Sequence, residues 1–450
     1  MMKKNLISAD LVRQLSCISN LQIIDLPSDR ARFSRDFYDY SPVLKSKLDE
    51  CCADLVVRPS STEAVALVAG LCRRYDIPLT LRGAGTGNYG QCVPLVGGIV
   101  MVMSELRQIR AIDSVTGAVT VESGCLLGEL DMKLVASGRQ LRILPSTWRS
   151  ASIGGFVAGG SGGIGSVRWG FLRDPGHLLG LEIITLEEEP QKLQLDGAAS
   201  EALNHAYGTN GIITSLTLAT APAVDWHEVA IDCSDWSKAV ALLKCCSEAA
   251  VDLHLCSLLE RRIVESIPTW SGKPNGNHRL LLLVSPDGLT TIERLAIAGD
   301  ASFELLGPEN LRSGNGLREL TWNHTTLHMR SLDRQWTYLQ MLLPDTELEA
   351  INALNSRWGD DLLWHLEAVR SQGVQRVAAL PLVRWRGIDL LEALIGDCRK
   401  TGAVIFNPHV ITVEDGGLGI VDGDQVEAKK RFDPKGILNP GKLKGWSETF

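Results

Sequence analysis

The chain has 450 residues, 45% of them hydrophobic and 22% charged, with a formal net charge of -8. That size accommodates two or three domains, and the acidic balance excludes nucleic acid as the main partner, since phosphate binding rests on a basic face. No apolar run approaches the roughly 18 residues that span a bilayer. The opening MMKKNLISADLVRQL lacks the apolar core of a secretion signal. The 11 cysteines show no C-x-x-C spacing, so a reduced, cytoplasmic protein with small buried thiols is expected.

Residues 1–50 read as an N-terminal arm. Within it RARFSRDFYDYSP, Arg30 to Pro42, is aromatic and basic, and as an extended segment it would put Tyr38 and Tyr40 on one face. It is placed either over a site mouth or as a packed arm. A short strand, ADLVVRP, follows, then the helix STEAVALVAGLCRRYD with Ser60 and Glu63 at capping-box spacing. Pro78 turns the chain into a second strand, Leu79 to Arg82, which runs into LRGAGTGNYG.

That loop spells G-x-G-x-x-G through Gly85, Gly87 and Gly90. A dinucleotide fingerprint of the nicotinamide type needs a helix next, so that the pyrophosphate rests on its N-terminus. Here QCVPLVGG opposes a helix and GIVMVM reads as a strand. The nicotinamide reading is therefore rejected, although small residues still leave backbone N–H groups open to an anion.

Strands follow at Ile109 to Asp113 and Ala118 to Ser123, then a helix ending at Gly138, then a strand from Arg142 to Pro145. The tract SIGGFVAGGSGGIGSVRWG, Ser152 to Gly170, is too glycine-dense for plain core. Its apolar Ile153, Phe156, Val157 and Ile164 argue against a solvated linker, so close packing on a ligand is expected. Strands Leu178 to Glu187 and Tyr207 to Pro222 complete this part. From about residue 225 to 402, WSKAVALLKCCSEAA, TELEAINALNSRWG, DLLEALIGDCRKTG and HRLLLLVSP alternate as helices and strand, which suggests a separate α+β domain. Residues 403–450 end in a turn-rich tail, FDPKGILNPGKL.

Three stretches in order, VVRPSSTEAVALV…PLTLRGAGTGNYG, SIGGFVAGGSGGIGSVRWGFLRD…LLGLEIITL and KKRFDPKGILNPGKL, resemble the vanillyl-alcohol oxidase / p-cresol methylhydroxylase (PCMH-type) family of FAD enzymes. The resemblance is nearest to the branch of glycolate oxidase FAD subunits and D-2-hydroxy-acid dehydrogenases. It implies an α+β fold: a PCMH-type FAD-binding domain of two α+β subdomains at 51–224, an α+β cap at 225–402, and a C-terminal segment at 403–450 returning to the FAD domain. It further implies that Arg82, Gly83, Ala84, Gly85, Thr86 and Gly87 hold the pyrophosphate. Pro145, Ser146, Ser152, Ile153, Gly154, Gly155, Gly162 and Gly163 would line the flavin, Ile213 would lie against its ring or adenine part, and Asn439 and Lys442 would sit in the tail closing over it.

Departures from the family pattern shape the expected chemistry. Thr86 stands where some relatives carry a flavin-linking histidine, and residues 146–156 hold no cysteine, so the FAD is expected to be non-covalent. The metal-binding histidine motif of the hydroxy-acid branch has no counterpart, and VEDGGLG keeps Glu414 but has Asp415 in place of a histidine; no metal site is expected. Alcohol oxidation needs a base for the hydroxyl proton and a path for hydride to flavin N5. His409 is a candidate, or a packed histidine. His324 and His328, four apart, share one face if the segment is helical; with Trp322 and Arg330 they form a substrate wall for an anion or pack the cap, and a metal reading of the same spacing lacks an identifiable third ligand. Asp415 becomes a base if burial raises its pKa, with Glu414 orienting a neighbour.

The expectation is an FAD-dependent oxidoreductase acting on a small alcohol, hydroxy acid or sugar-derived alcohol. Its electrons would pass to oxygen, a quinone or a protein partner, with no nucleic acid and no membrane span involved. The alternatives are a flavin-bearing subunit with a degenerate substrate site and a redox-neutral or enoyl-reducing flavin enzyme.

Overall fold

Strand Ile99–Val102 has all four residues buried and sits between two parallel neighbours, Leu55–Pro59 and Leu79–Arg82. Burial on both faces is what an unbroken apolar run such as IVMV permits. Leu21–Ile24 adds an antiparallel edge. The computed structural model describes residues 7–268 and 276–447; residues 1–6, part of the stretch read for a secretion signal, lie outside the described residues. Helix Thr62–Tyr75 covers this sheet with Val65, Val68, Ala69 and Cys72, each fully buried. Each such valine contributes about 1.5–3 kcal/mol by leaving water. Its N-cap is Ser61, whose side chain accepts from Ala64 N–H, so the cap lies one residue beyond the expected Ser60.

A second sheet is antiparallel: Ile109–Ile112, Ala118–Glu122, Ile212–Pro222, Leu178–Ile184 and Lys192–Asp196, in that spatial order. Arg139–Leu141 pairs with the far end of Ile212–Pro222. The strand expected at Arg142 to Pro145 thus ends earlier; beyond Leu141 only Leu144 keeps a bridge, to Ile164, because Pro145 lacks the donor that would continue a ladder.

The remaining large sheet has eight strands in the order Ser302–Pro308, His227–Cys233, His278–Val284, Leu253–Leu259, His365–Ser371, Val374–Ala379, Gln340–Leu342 and Val404–Phe406. Helices Trp236–Glu248, Glu347–Trp358 and Ile388–Lys400 stand where the sequence placed them. Met341 pairs with Ile405, so the chain leaves this sheet after Phe406. The tail then joins the first sheet, where Leu79 N–H donates to Ile437 O and Asn439 N–H to Leu79 O. The segment Arg30 to Pro42 is not extended. It completes a helix, Pro27–Phe33, and then forms a 3-10 turn, Tyr38–Tyr40. That turn separates the two rings: Tyr38 donates to Asp49 at 3.0 Å, while Tyr40 packs edge-on against Tyr338. Among the described residues no helix is long and apolar enough to cross a membrane.

Candidate active site

The strand Leu79–Arg82 feeds the first glycine loop. Gly85 has φ +72° and lies against the Arg82 guanidinium; the left-handed backbone is what requires glycine. Arg82 points away from the loop's open side. Its Nη1 donates to the carbonyls of Phe33 and Arg35, which fastens the base of the loop to the arm. Phe37 N–H donates to Gly87 O at 2.8 Å, a second fastening.

The second tract lies against the first. A Cβ on Gly83 would meet Ser152 Oγ at 2.1 Å, and one on Gly154 would meet Ser123 Cβ at 2.5 Å. Ser152 Oγ, Ser123 Oγ and Asn439 Oδ1 are buried without hydrogen-bond partners. Two bare backbones in close approach, edged by unsatisfied polar atoms, fit the phosphates and ring edges of a dinucleotide. Ala84, Thr86, Gly87, Pro145, Gly155 and Gly162 keep solvent exposure.

Other expected contacts are already committed. Ile153 N–H donates to Cys125 O, Gly154 N–H to Ser123 O and Gly163 N–H to Ser166 Oγ. Ile213 pairs with Ile183 inside the second sheet, and Ser146 is buried. These residues can wall a ligand, but the three amides have no proton left for it. In the tail, Asn439 Nδ2 donates to Gln91 O and Tyr207 O, and Lys442 Nζ donates to Gly90 O. Both therefore brace the first loop. Burial lowers the Lys442 pKa to about 8.

Three of the four catalytic candidates have structural duties. His409 is buried; Nε2 lies 2.9 Å from Tyr338 O and Nδ1 2.7 Å from Ser41 Oγ. A carbonyl only accepts, so Nε2 carries the hydrogen and Nδ1 accepts the Ser41 proton. Neither nitrogen is available as a base, and burial pushes the pKa down to about 4. Glu414 accepts Lys444 N–H at 2.9 Å and Gly445 N–H at 2.8 Å, anchoring the short last helix. Asp415 is exposed and bonds Thr412 Oγ1 at 2.7 Å. The burial that its role as a base required is absent.

His324 differs. It opens the helix His324–Leu332, which does bring His324 and His328 onto one face. His324 Nδ1 and His328 Nε2 are buried without partners. Desolvation holds both rings below the ordinary histidine pKa, so both are neutral near pH 7. A neutral imidazole with a free ring nitrogen is a competent base.

The structure adds residues that the sequence reading passed over. Tyr89 Oη donates to Gln340 Oε1 at 2.8 Å, and Gln340 Nε2 donates to Asn323 Oδ1 at 3.5 Å. Tyr338 Oη is buried and unpartnered. Tyr89, Tyr207 and Tyr338 all have pKa values raised by burial, so they stay protonated donors. Asp36, buried beside the first loop, is raised to about 6 by desolvation, against the nearby Lys442 charge. No local pattern singles out Tyr338 and Gln340, which end and open two separate short strands. Among the described residues no group of three or more His, Cys, Asp or Glu could hold a metal ion.

The family described as "FAD binding domain" matches residues 53–193. The chain is 32% identical over 175 residues to D-lactate dehydrogenase of Anaerostipes hadrus, a match spanning 38% of this chain and 37% of that protein. It is 26% identical to glycolate oxidase subunit GlcD of Bacillus subtilis, over 48% of this chain and 46% of the relative. These matches therefore span less than half of either relative's length. A longer one, to D-lactate dehydrogenase of Archaeoglobus fulgidus, is 24% identical and covers 93% of this chain and 96% of that protein. Among solved structures, alkyldihydroxyacetonephosphate synthase superposes with TM-score 0.73 and 16% identity, over 97% of this chain and 85% of that one. At that identity the likeness is one of fold: a mixed α/β molecule similar to PCMH-type FAD-binding proteins.

Proposed function

We propose that this chain, whose residues 53–193 belong to the FAD binding domain family, is an FAD-linked oxidoreductase that oxidises a small alcohol or hydroxy acid without a metal. FAD, when bound, supplies the two-electron acceptor for the hydride of an alcohol C–H bond. The observation that carries the reading is the pair of glycine tracts, in van der Waals approach and edged by unpartnered Ser123, Ser152 and Asn439 atoms. In this reading residues 51–224 hold the cofactor, the region from 225 to Phe406 covers it, and the tail braces the first loop. Electrons then leave to oxygen, a quinone or a protein partner.

This chain's own residues supply the rest. The loop Gly83–Gly87 and the Ser152–Gly155 turn hold the cofactor's phosphates and ring. His324 Nδ1 takes the hydroxyl proton; desolvation keeps the ring neutral and ready to do so. The Trp322 indole packs against the large core cluster, and in this reading the neighbouring His324 faces the substrate. Thr86 offers the flavin a hydroxyl, a poor group for covalent attachment.

The test is the visible spectrum of purified protein before and after acid precipitation. Yellow protein whose FAD moves wholly to the supernatant supports a dissociable cofactor; flavin in the pellet refutes that part. Anaerobic bleaching by an alcohol or hydroxy acid supports oxidation, and H324N should abolish it. An FAD-loaded protein that no such compound bleaches would favour a flavin-bearing subunit without its own substrate site.

A further inference from the structure

Strand His365–Ser371 puts His365 and Glu367, two residues apart, on one face. Their side chains are 0% and 1% exposed. Pairing with strand Leu253–Leu259 sets Ser257 directly opposite Glu367. His365 Nε2 meets Glu367 Oε1 at 2.8 Å, and Ser257 Oγ donates to Glu367 Oε2.

The same two side chains reach the turn that opens helix His324–Leu332. Trp322 N–H donates to Glu367 Oε1 at 3.0 Å, and Thr325 Oγ1 lies 2.9 Å from His365 Nδ1. Thr325 Oγ1 also donates to Trp322 O at 2.9 Å. A carbonyl only accepts, so the single hydroxyl proton of Thr325 goes to Trp322 O, and His365 Nδ1 is the donor to Thr325. His365 and Glu367 therefore hold two protons between them, one on Nδ1 and one in the Nε2–Oε1 bond.

His324 stands in the chain between the two gripped residues. Trp322 is held at φ +52°, a left-handed backbone that a bulky residue keeps only where its surroundings over-determine it. Thr325 is held through its side chain and is fully buried. His324 Nδ1 itself is buried without a partner, so no bond at that nitrogen fixes the ring. The gripped turn, with a bond between the ring and the Glu319 backbone, sets where Nδ1 stands. Well-packed apolar side chains of similar volume often hold an interior as stably as a buried histidine–carboxylate pair. A pair that bonds both flanks of one residue fixes a single conformation there.

Resting on the oxidoreductase reading above, in which His324 Nδ1 takes the hydroxyl proton, we propose that Glu367 and His365 are positioning residues for that base. They clamp Trp322 and Thr325 on either side of His324 and so hold Nδ1 in one place.

Two measurements on the full chain test this. In NMR of isotope-labelled histidines, wild-type His365 should show a slowly exchanging Nδ1–H. T325V should move the ring signals of both His365 and His324, and T325S should keep them in place. A bare His365 Nδ1 in the wild type overturns the proposal, as do His324 signals that T325V leaves unmoved. The wild-type spectrum does not depend on how the variants fold. In anaerobic stopped flow of the FAD-loaded protein with D-lactate or glycolate, T325V should lower the limiting rate of flavin reduction by roughly tenfold to a hundredfold, the cost of a misplaced group. The half-saturating concentration should stay within about twofold, and T325S should restore most of the rate. A T325V rate equal to wild type, or T325S as slow as T325V, overturns the proposal. Failure of both acids to bleach the wild type counts against the oxidoreductase reading alone, and the NMR result still decides the clamp.

Discussion

Two buried polar regions of this molecule are built on opposite terms. In the C-terminal segment, Lys429 Nζ bonds Asp433 Oδ2 at 2.6 Å and Leu438 O at 2.7 Å, while Asp433 accepts the N–H groups of Ile437 and Leu438. Every charge there meets a partner, and the knot fixes the tail on the first sheet. Around Trp322 and His324 the polar atoms are equally buried yet lack partners. The first region spends its polar groups on holding shape; the second keeps them for something that arrives. Burial alone therefore does not distinguish architecture from function, whereas the hydrogen-bond inventory does.

Breaking each side separately sharpens that contrast. H324N should lower kcat by about a hundredfold to ten-thousandfold, the range for a lost general base, while leaving the unfolding midpoint nearly unchanged. A stability loss matching that of a core substitution would move His324 to the architectural side. K429M should do the reverse: it strands a buried carboxylate, costs about 3–5 kcal/mol in urea unfolding, and K429M/D433L together should recover most of it. An unchanged midpoint for K429M would mean that the knot contributes nothing.

His409 offers a finer test, being buried and fully bonded. Its folded pKa of about 4 lies below the ordinary 6.5, so the unfolded chain takes up a proton that the folded ring refuses. Stability is complete above pH 6.5 and falls as pH drops toward 4, by on the order of 3 kcal/mol for this group. Urea unfolding across that window should be less steep in pH for H409F than for wild type; equal slopes would refute the assignment. The smallest effect is expected at the cap of helix Thr62–Tyr75, where S61A should cost about 1 kcal/mol and S60A almost nothing.

Much of the cofactor half was legible because its signals are local. Pro78, the apolar IVMV and the glycines of both tracts dictate turns and strands within a few residues. The shift of the N-cap from Ser60 to Ser61 is a one-residue slip between adjacent serines of equal capping ability. Catalytic roles were less legible because they depend on contacts between distant segments. Ser41 and Tyr338 decide the fate of His409, and Lys444 and Gly445 decide that of Glu414. Nothing in HVITVED announces those partners. Gln340 likewise gains its significance only from its meeting with Tyr89.

The bracing of the first loop has a consequence for how the protein is made. Gly90 and Gln91 are held by Lys442 and Asn439, residues 352 and 348 positions later. While the ribosome is still synthesising residues 100–430, the loop is exposed without its two props, and the Gly90 and Gln91 carbonyls are left to water. Contacts of such sequence separation form late. The loop thus reaches its finished shape only after the tail has emerged and docked, and on the proposed reading removal of the chain from residue 439 onward should yield a folded-looking protein that loses its flavin on dilution.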